Sequence, residues 1–308
     1  MMKASLSIYD KGIKLNRTIL IHLFLYMLVC FCWGTTWISI KFATLTIPPL
    51  TSAGLRFLIA FPFFYIICRI MKEPIFYPKG KMKFFVSIVL LYFSIPYFLI
   101  GYASKDVSSG LISLIFSTMP IFTIIFSSLF NGAKFNNHQF AGISVGFMCL
   151  LMIIINQGME ISYSSYLGIF AVFSSAALHG LCYVLTKRHG ESISILTFNT
   201  LPIGIAGFGM TALGFMLEDS TLSAFSNQSV AGVFYLGIVA SVGGFLAYFY
   251  LLKKLNPTIL SYVFVIFPVV AIYIGAKYAN EAVSDSFVYL VLVMLMGVAY
   301  TKYHTPKS

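Results

Sequence analysis

Charge is scarce in this 308-residue chain: Asp, Glu, Lys and Arg together make up 9% of it. A soluble domain of this size carries roughly 25%, so water is not the solvent for most of its surface. Acidic residues are scarcest, nine against twenty basic ones, and none falls deep inside an apolar run. The five cysteines (Cys30, Cys32, Cys68, Cys149, Cys182) all sit in apolar runs. Cys30 and Cys32 are two apart and point to different faces of a helix, a poor metal pair; all five read as buried structural thiols with no disulfide framework. No Gly-Lys-Ser/Thr phosphate loop is present, which excludes an ATP drive within the chain and implies no ATPase subunit. A metal-ligand cluster and a Ser-His-Asp spacing are lacking too. The sequence is therefore not that of an enzyme, and no cofactor is expected.

What fills the chain instead is apolar, 59% of all residues, with a mean hydropathy of +0.91. Crossing a hydrocarbon core of roughly 30 Å takes about 20 residues of helix, and lipid offers no partners for backbone amides outside helices or closed barrels. Ten such runs are predicted, near 19–40, 49–71, 84–103, 108–130, 138–156, 164–186, 195–217, 229–251, 258–278 and 285–303. The expected fold is thus an all-α integral membrane protein of ten transmembrane helices. The first run follows Lys3, Lys11, Lys14 and Arg17 like a signal peptide, but it is too long and lacks a small-x-small cleavage site, so it reads as a retained helix.

Sixteen Lys and Arg residues fall on the side of the N-terminus and three (Lys41, Lys105, Lys277) on the other, with Arg56 left inside the second span. That bias predicts both termini in the cytoplasm of a multi-pass protein of the inner (plasma) membrane. It also explains the net charge of +11 without nucleic acid, because the basic residues lie in short loops rather than on one face. The acids lean outward, with Asp106, Glu160, Glu218, Asp219, Glu281 and Asp285 on the sparse side.

The chain also repeats itself. Trp33-Gly34, Trp37, Lys41 and Thr51 recur 146 positions later as His179-Gly180, Tyr183, Lys187 and Thr197, and Tyr102, Lys105 and Pro120 recur 148 positions later as Tyr250, Lys253 and Pro268. The expected organisation is a cytoplasmic tail (1–18), a first five-helix repeat (19–156), a second (164–303) and a short cytoplasmic tail (304–308). Five spans per copy make the second copy inverted. Inverted repeats let secondary transporters alternate two gates around one site near the midplane.

Candidate site residues follow from what the spans contain. Arg56 and His179 are the ionisable groups within spans, and such residues are functional candidates by default. Arg56 reads either as an anion-facing or gate residue or as an arginine satisfied by carbonyls and helix ends. His179 reads as a proton relay, a neutral cross-helix partner or a cavity wall. Trp33 and Trp37 lie one turn apart on one face with Thr35, Thr36 and Ser39. They form either an aromatic wall with hydroxyls or, for Trp37, an interface anchor and, for Trp33, packing. Pro120 and Pro268 fall mid-span at repeat-equivalent places, either marking the binding region or making static kinks. Ser113, Ser117, Thr118, Ser261 and Tyr262 are expected to line the same cavity, with Tyr92, Tyr97, Tyr102, Tyr183, Tyr248 and Tyr250 adding rings and phenols. Gly204, Gly207, Gly209, Gly214, Gly237, Ser241, Gly243 and Gly244 are expected to permit close helix packing.

The stretch Trp33-Gly34-Thr35-Thr36-Trp37, with Pro48-Pro49-Leu50-Thr51 and Leu55-Arg56-Phe57, resembles the opening of an EamA-type transporter of the drug/metabolite transporter superfamily. Tyr102 to Pro120 and its copy, Tyr250 to Pro268, are similar to that family's proline helix, and Asn280-Glu281-Ala282-Val283 with Gly297-Val298 to its acidic turn and last helix. The resemblance spans roughly residues 20 to 302. It departs at Ala133, which stands at the repeat position of Glu281. It implies a basket of ten helices with a central cavity formed by spans one, three, four, six, eight and nine, and export or uptake of small metabolites such as amino acids.

The expected function is therefore a secondary transporter, exporting amino acids or related small metabolites by rocking its two halves. Its partners would be a small-molecule substrate and the lipid bilayer. An importer of a metabolite or cofactor precursor is the second transport reading. A membrane scaffold or partner subunit is the reading from another class.

Overall fold

The computed structural model describes residues 2–132, 141–142, 144–146, 148–149, 152–153, 163–252, 254–255, 260, 263–281, 283 and 285–303. Among them all regular structure is helical, with no strand. Helix α1 runs unbroken over Met2–Ala43, with its apolar span starting at Arg17, so residues 2–16 of the expected tail are helical and continuous with it. Then come α2 (Pro49–Ile70), α3 (Met82–Ala103) and a fourth span split into α4 (Ser109–Phe116) and α5 (Met119–Asn131). After the half-way point follow α6 (Tyr163–His189), α7 (Ile195–Leu217), α8 (Asn227–Leu252), α9 (Val263–Tyr278) and α10 (Asp285–Tyr303). Among the described residues, seven helices are long and apolar enough to cross a bilayer, and the ninth and tenth spans contain shorter apolar helices. The expected fifth span and the repeat partner Ala133 fall largely outside the described residues.

Helix starts are capped in two ways. Ser108, Ser194 and Ser226 accept the amide hydrogens of Leu111, Thr197 and Ser229 through their own side chains, the usual remedy for orphan donors. Helix α2 begins at Pro48-Pro49 with no side-chain cap of its own. Glu218, just past the end of α7, supplies one: it accepts from Leu50 N at 2.9 Å, Thr51 N at 2.8 Å and Thr51 Oγ1 at 2.9 Å.

That contact closes one end of an antiparallel pair, α2 against α7, with small residues wherever the backbones meet. A Cβ on Gly207 would sit 2.8 Å from Leu58 N, and one on Gly204 2.6 Å from the Phe61 ring. Gly54 meets Thr211 and Gly214 meets Thr51 in the same way. The packing expected of this glycine cluster holds for Gly204, Gly207 and Gly214, and likewise for Gly237 against Ile59 and the Arg56 carbonyl and for Gly244 against Trp33. Gly209 has nothing near it and Gly243 almost nothing. At the far end Thr197 Oγ1 donates to Pro74 O, and Tyr77 OH donates to Phe198 O at 3.1 Å.

The other principal contacts join the first half of the sequence to the second. Helix α1 packs on α8 and α9, and α6 packs on α3, α4 and α5, while α4 also packs on α9 and α1 and so joins the two groups. Two bundles result, α1–α8–α9 and α6–α3–α4–α5, each holding one helix from the opposite half.

Helices α3 and α8 share a local irregularity, a π-helical stretch over Val89–Ser94 and another over Leu236–Gly243. The two lie at the same 148-residue offset as the sequence matches. In α3 the ring of Pro96 removes an amide donor from the following turn, and Ser94 Oγ donates to Val89 O at 2.7 Å. In α8 Gly237 and Gly243 weaken the α-helical register. Such bulges are frequent where helices border functional sites.

Candidate functional site: a central aromatic cavity

A cavity of about 80 Å³ lies between the two bundles. One wall is Trp33, Thr36, Trp37 and Ile40 of α1 with Phe245, Phe264 and Phe267 of α8 and α9. The facing wall is Tyr92, Tyr97 and Ile100 of α3, Phe116 and Met119 of the broken fourth span, and His179 and Tyr183 of α6. Arg56 of α2 completes the lining. Ten of these fifteen residues form repeat-related pairs. Trp33 with His179 and Trp37 with Tyr183 are 146 apart; Tyr97 with Phe245, Phe116 with Phe264 and Met119 with Phe267 are 148 apart.

The aromatic walls are rigid because the rings hold one another. Trp33 lies 4.8 Å from the ring of Tyr248, 5.8 Å from Phe264 and 6.1 Å from Phe245. Trp37 is 6% exposed and set between Phe116 at 5.2 Å and Phe267 at 5.8 Å. It is a cavity wall and not an interface anchor, and its indole N–H has no hydrogen-bond partner among the described residues. His179 packs among Tyr92, Phe116 and Tyr97 at 4.8, 5.1 and 5.6 Å. Its Nδ1 lies 3.0 Å from Ser175 O. A carbonyl can only accept, so Nδ1 carries the hydrogen and a neutral ring keeps Nε2 as acceptor.

Arg56 is 4% exposed. Carbonyls and helix ends do not hold it: Nε donates to Ser241 Oγ at 3.0 Å, and the guanidinium lies 4.9 Å from the Tyr97 ring and 5.6 Å from the Phe57 ring. Ser241 belongs to the π stretch of α8, and Tyr97 follows that of α3.

The remaining sequence candidates fall elsewhere. Tyr248 backs Trp33 instead of lining the cavity. Ser113, Ser117 and Thr118 are fully buried, and their hydroxyls donate to Gly110, Leu114 and Ile115 carbonyls of their own helix. Ser117 therefore offers the cavity no donor. Pro120 does not bend a continuous helix: the chain breaks at 117–118 and Pro120 sits in the first turn of α5. Pro268 stays inside an unbroken α9. Neither proline lines the cavity, but each adjoins a residue that does, Met119 and Phe267. Thr36 reaches the cavity with its hydroxyl donated to Cys32 O, whereas Thr35 and Ser39 lie outside the lining. Ser261 and Tyr262 lie outside the described residues. Composition hid the apolar contributors Ile40, Ile100, Phe116, Met119, Phe245, Phe264 and Phe267 among many similar residues. The 146- and 148-residue offsets would have found five of these seven.

On the face opposite the N-terminus, the cavity leads to a constriction of about 10 Å³ lined by Thr44, Pro49, Ser52, Ala53, Gly101 and Leu236, which shares Ile40, Arg56 and Tyr97 with it. Beyond lies an outer hollow of about 350 Å³ with Lys41, Thr44, Ser104 and Lys105 in its wall. Beside it Glu281 ties the bundles together. It pairs with Lys41 Nζ at 2.9 Å and accepts from Ser109 N at 2.8 Å, Ser109 Oγ at 3.0 Å and Gly110 N at 3.2 Å. Gly275 allows this approach, since any Cβ there would collide with the carboxylate.

A central cavity within a bundle of lipid-length helices fits a multi-pass membrane protein of the transporter class. The chain belongs to the EamA-like transporter family, whose pattern it matches twice, over residues 20–155 and 166–302. It is 35% identical over 277 residues to Protein PagO of Salmonella typhimurium, covering 90% of this chain and 91% of that one. It is 34% identical to an uncharacterized transporter of Buchnera aphidicola (82% and 84% covered) and 27% identical to the inner membrane transporter YedA of Escherichia coli (82% and 81% covered). Its fold is similar to a crystal structure at 14% identity, with a TM-score of 0.66 over 92% of this chain and 98% of the other.

Proposed function

We propose that the chain is a secondary transporter of the inner membrane, with both termini cytoplasmic, that exports amino acids or related small metabolites by alternating access. The observation that carries this reading is the cavity itself, walled equally by two bundles that also touch where α4 packs on α9 and α1. The printed name of YedA supports the inner membrane, and the double family match supports a duplicated architecture. The bodies that rock would not be the two sequence halves. They would be α1–α8–α9 and α6–α3–α4–α5, hinged along the α2–α7 pair. In this conformation the Glu281 contacts and the constriction mark the closed end of the pathway.

The test is exchange across proteoliposomes loaded with a labelled metabolite mixture, comparing the unmodified protein with Trp33→Ala and His179→Ala. Solute-specific exchange that the two substitutions reduce is the expected result. Absence of exchange for every solute would overturn transport and favour a scaffold role.

A further inference from the structure

Arg56 is the single charged side chain in the described cavity wall, and nothing in that wall neutralises it. Its guanidinium carries five N–H donors, and Ser241 takes one of them. No carboxylate pairs with it among the described residues, and the Tyr97 face gives only a ring-to-cation attraction. Trp37 adds a second donor without a partner. The other polar wall groups do not supply the missing charge: His179 spends its Nδ1 hydrogen on Ser175 O, and Thr36 donates to Cys32 O. The cavity thus has spare donors and one positive charge on a surface that is otherwise aromatic and aliphatic. A buried, unpaired charge in a low dielectric is costly, and a bound counter-ion removes that cost.

We infer that the cavity takes an organic anion: a carboxylate on an apolar or aromatic body, with the carboxylate paired to Arg56 and no ammonium group. This rests on the transport reading above and shifts its substrate from zwitterionic amino acids to organic acids among the related small metabolites. A small inorganic anion would leave the aromatic walls unfilled, against the general match of pockets to their ligands. A zwitterion would bring an ammonium group to a wall without an acid. The route outward fits the same charge, because Arg56 also borders the constriction and the outer hollow beyond it has Lys41 and Lys105 in its wall.

The chain has two tryptophans, and both line the cavity, so intrinsic fluorescence reports its occupancy. Purified full-length protein is titrated with 3-phenylpropionate, its neutral amide and phenylalanine. The acid is expected to bind at least about tenfold more tightly than either, a factor worth about 1.4 kcal/mol. Arg56→Met is expected to abolish the preference for acid over amide, and Arg56→Lys to retain part of it. If Arg56→Met does not fold, the comparison of the three ligands on the unmodified protein still decides. The inference is overturned if amide or phenylalanine binds as well as the acid, if none of the three perturbs the fluorescence, or if folded Arg56→Met keeps the preference. Acid that binds but never crosses proteoliposomes would refute transport and leave the site. Solutes that cross with no preference for acids would refute the site and leave transport.

Discussion

Glu281 has four hydrogen-bond partners and a side chain that is 7% exposed, while its ion-pair partner Lys41 is 30% exposed. The asymmetry decides which substitution costs more. Removing Lys41 leaves the carboxylate its Ser109 and Gly110 donors, whereas Glu281→Gln turns an NH2 group toward amide hydrogens that need an acceptor. Hydrogen bonds to charged groups contribute about 1.5–3 kcal/mol. Glu281→Gln is therefore expected to lower the thermal midpoint in detergent clearly more than Lys41→Met, and equal shifts would contradict the capping role. The sequence marked Glu281 through a family resemblance and counted Glu218 only as an acid on the sparse side. Neither had a visible target, because a cap delivered from another helix leaves no local spacing. The one readable trace was α2's start at Pro48-Pro49-Leu50, where no Ser, Thr, Asp or Asn stands ready to cap.

Two glycines of α7 separate packing from composition at the scale of the element. Gly207 lies under the Phe57–Leu58 backbone, and Gly209, two residues on, faces open space. Gly207→Ala must push two helix backbones apart, so folded protein in the membrane fraction, read by size-exclusion of a fluorescent fusion, is expected to fall sharply. Gly209→Ala strains nothing and removes a flexible residue from a helix interior, a gain of about 0.5–1 kcal/mol, and its midpoint is expected to rise. The sequence gives the two glycines the same appearance; only the partner helix tells them apart. The π stretches were equally illegible, since a register change by one residue alters no composition. Their consequence is testable at Ser241. Without its hydroxyl, Arg56 Nε loses its acceptor in a buried setting, so Ser241→Ala is expected to lower the midpoint by more than Ser174→Ala, at a partly exposed serine whose hydroxyl donates along its own helix to Phe170 O.

For the molecule as a whole, the repeat that was legible as sequence matches became a cavity in which repeat mates face each other across two bundles, Trp33 and Trp37 on one wall, His179 and Tyr183 on the other. What the matches did not disclose is that the halves exchange their first helices, so α1 packs with α8 and α9 and α6 with α3 to α5; in the proposed cycle each would move with its group. That exchange sets where a cross-link should stop motion. Lys41 and Glu281 belong to one bundle, and joining them should be harmless to rocking. Ser109 starts α4 in the other bundle, with its hydroxyl 3.0 Å from the Glu281 carboxylate. In Ser109→Cys/Glu281→Cys protein, a short bifunctional thiol reagent with a reducible linker is expected to suppress exchange in proteoliposomes, and reduction to restore it. The same reagent on Lys41→Cys/Glu281→Cys should leave exchange near its untreated rate. The native cysteines described are buried, so the single-cysteine variants serve as blanks. Full exchange by the Ser109–Glu281 cross-linked protein would mean that this face does not open in the cycle, and the moving boundary would have to lie elsewhere than between these bundles.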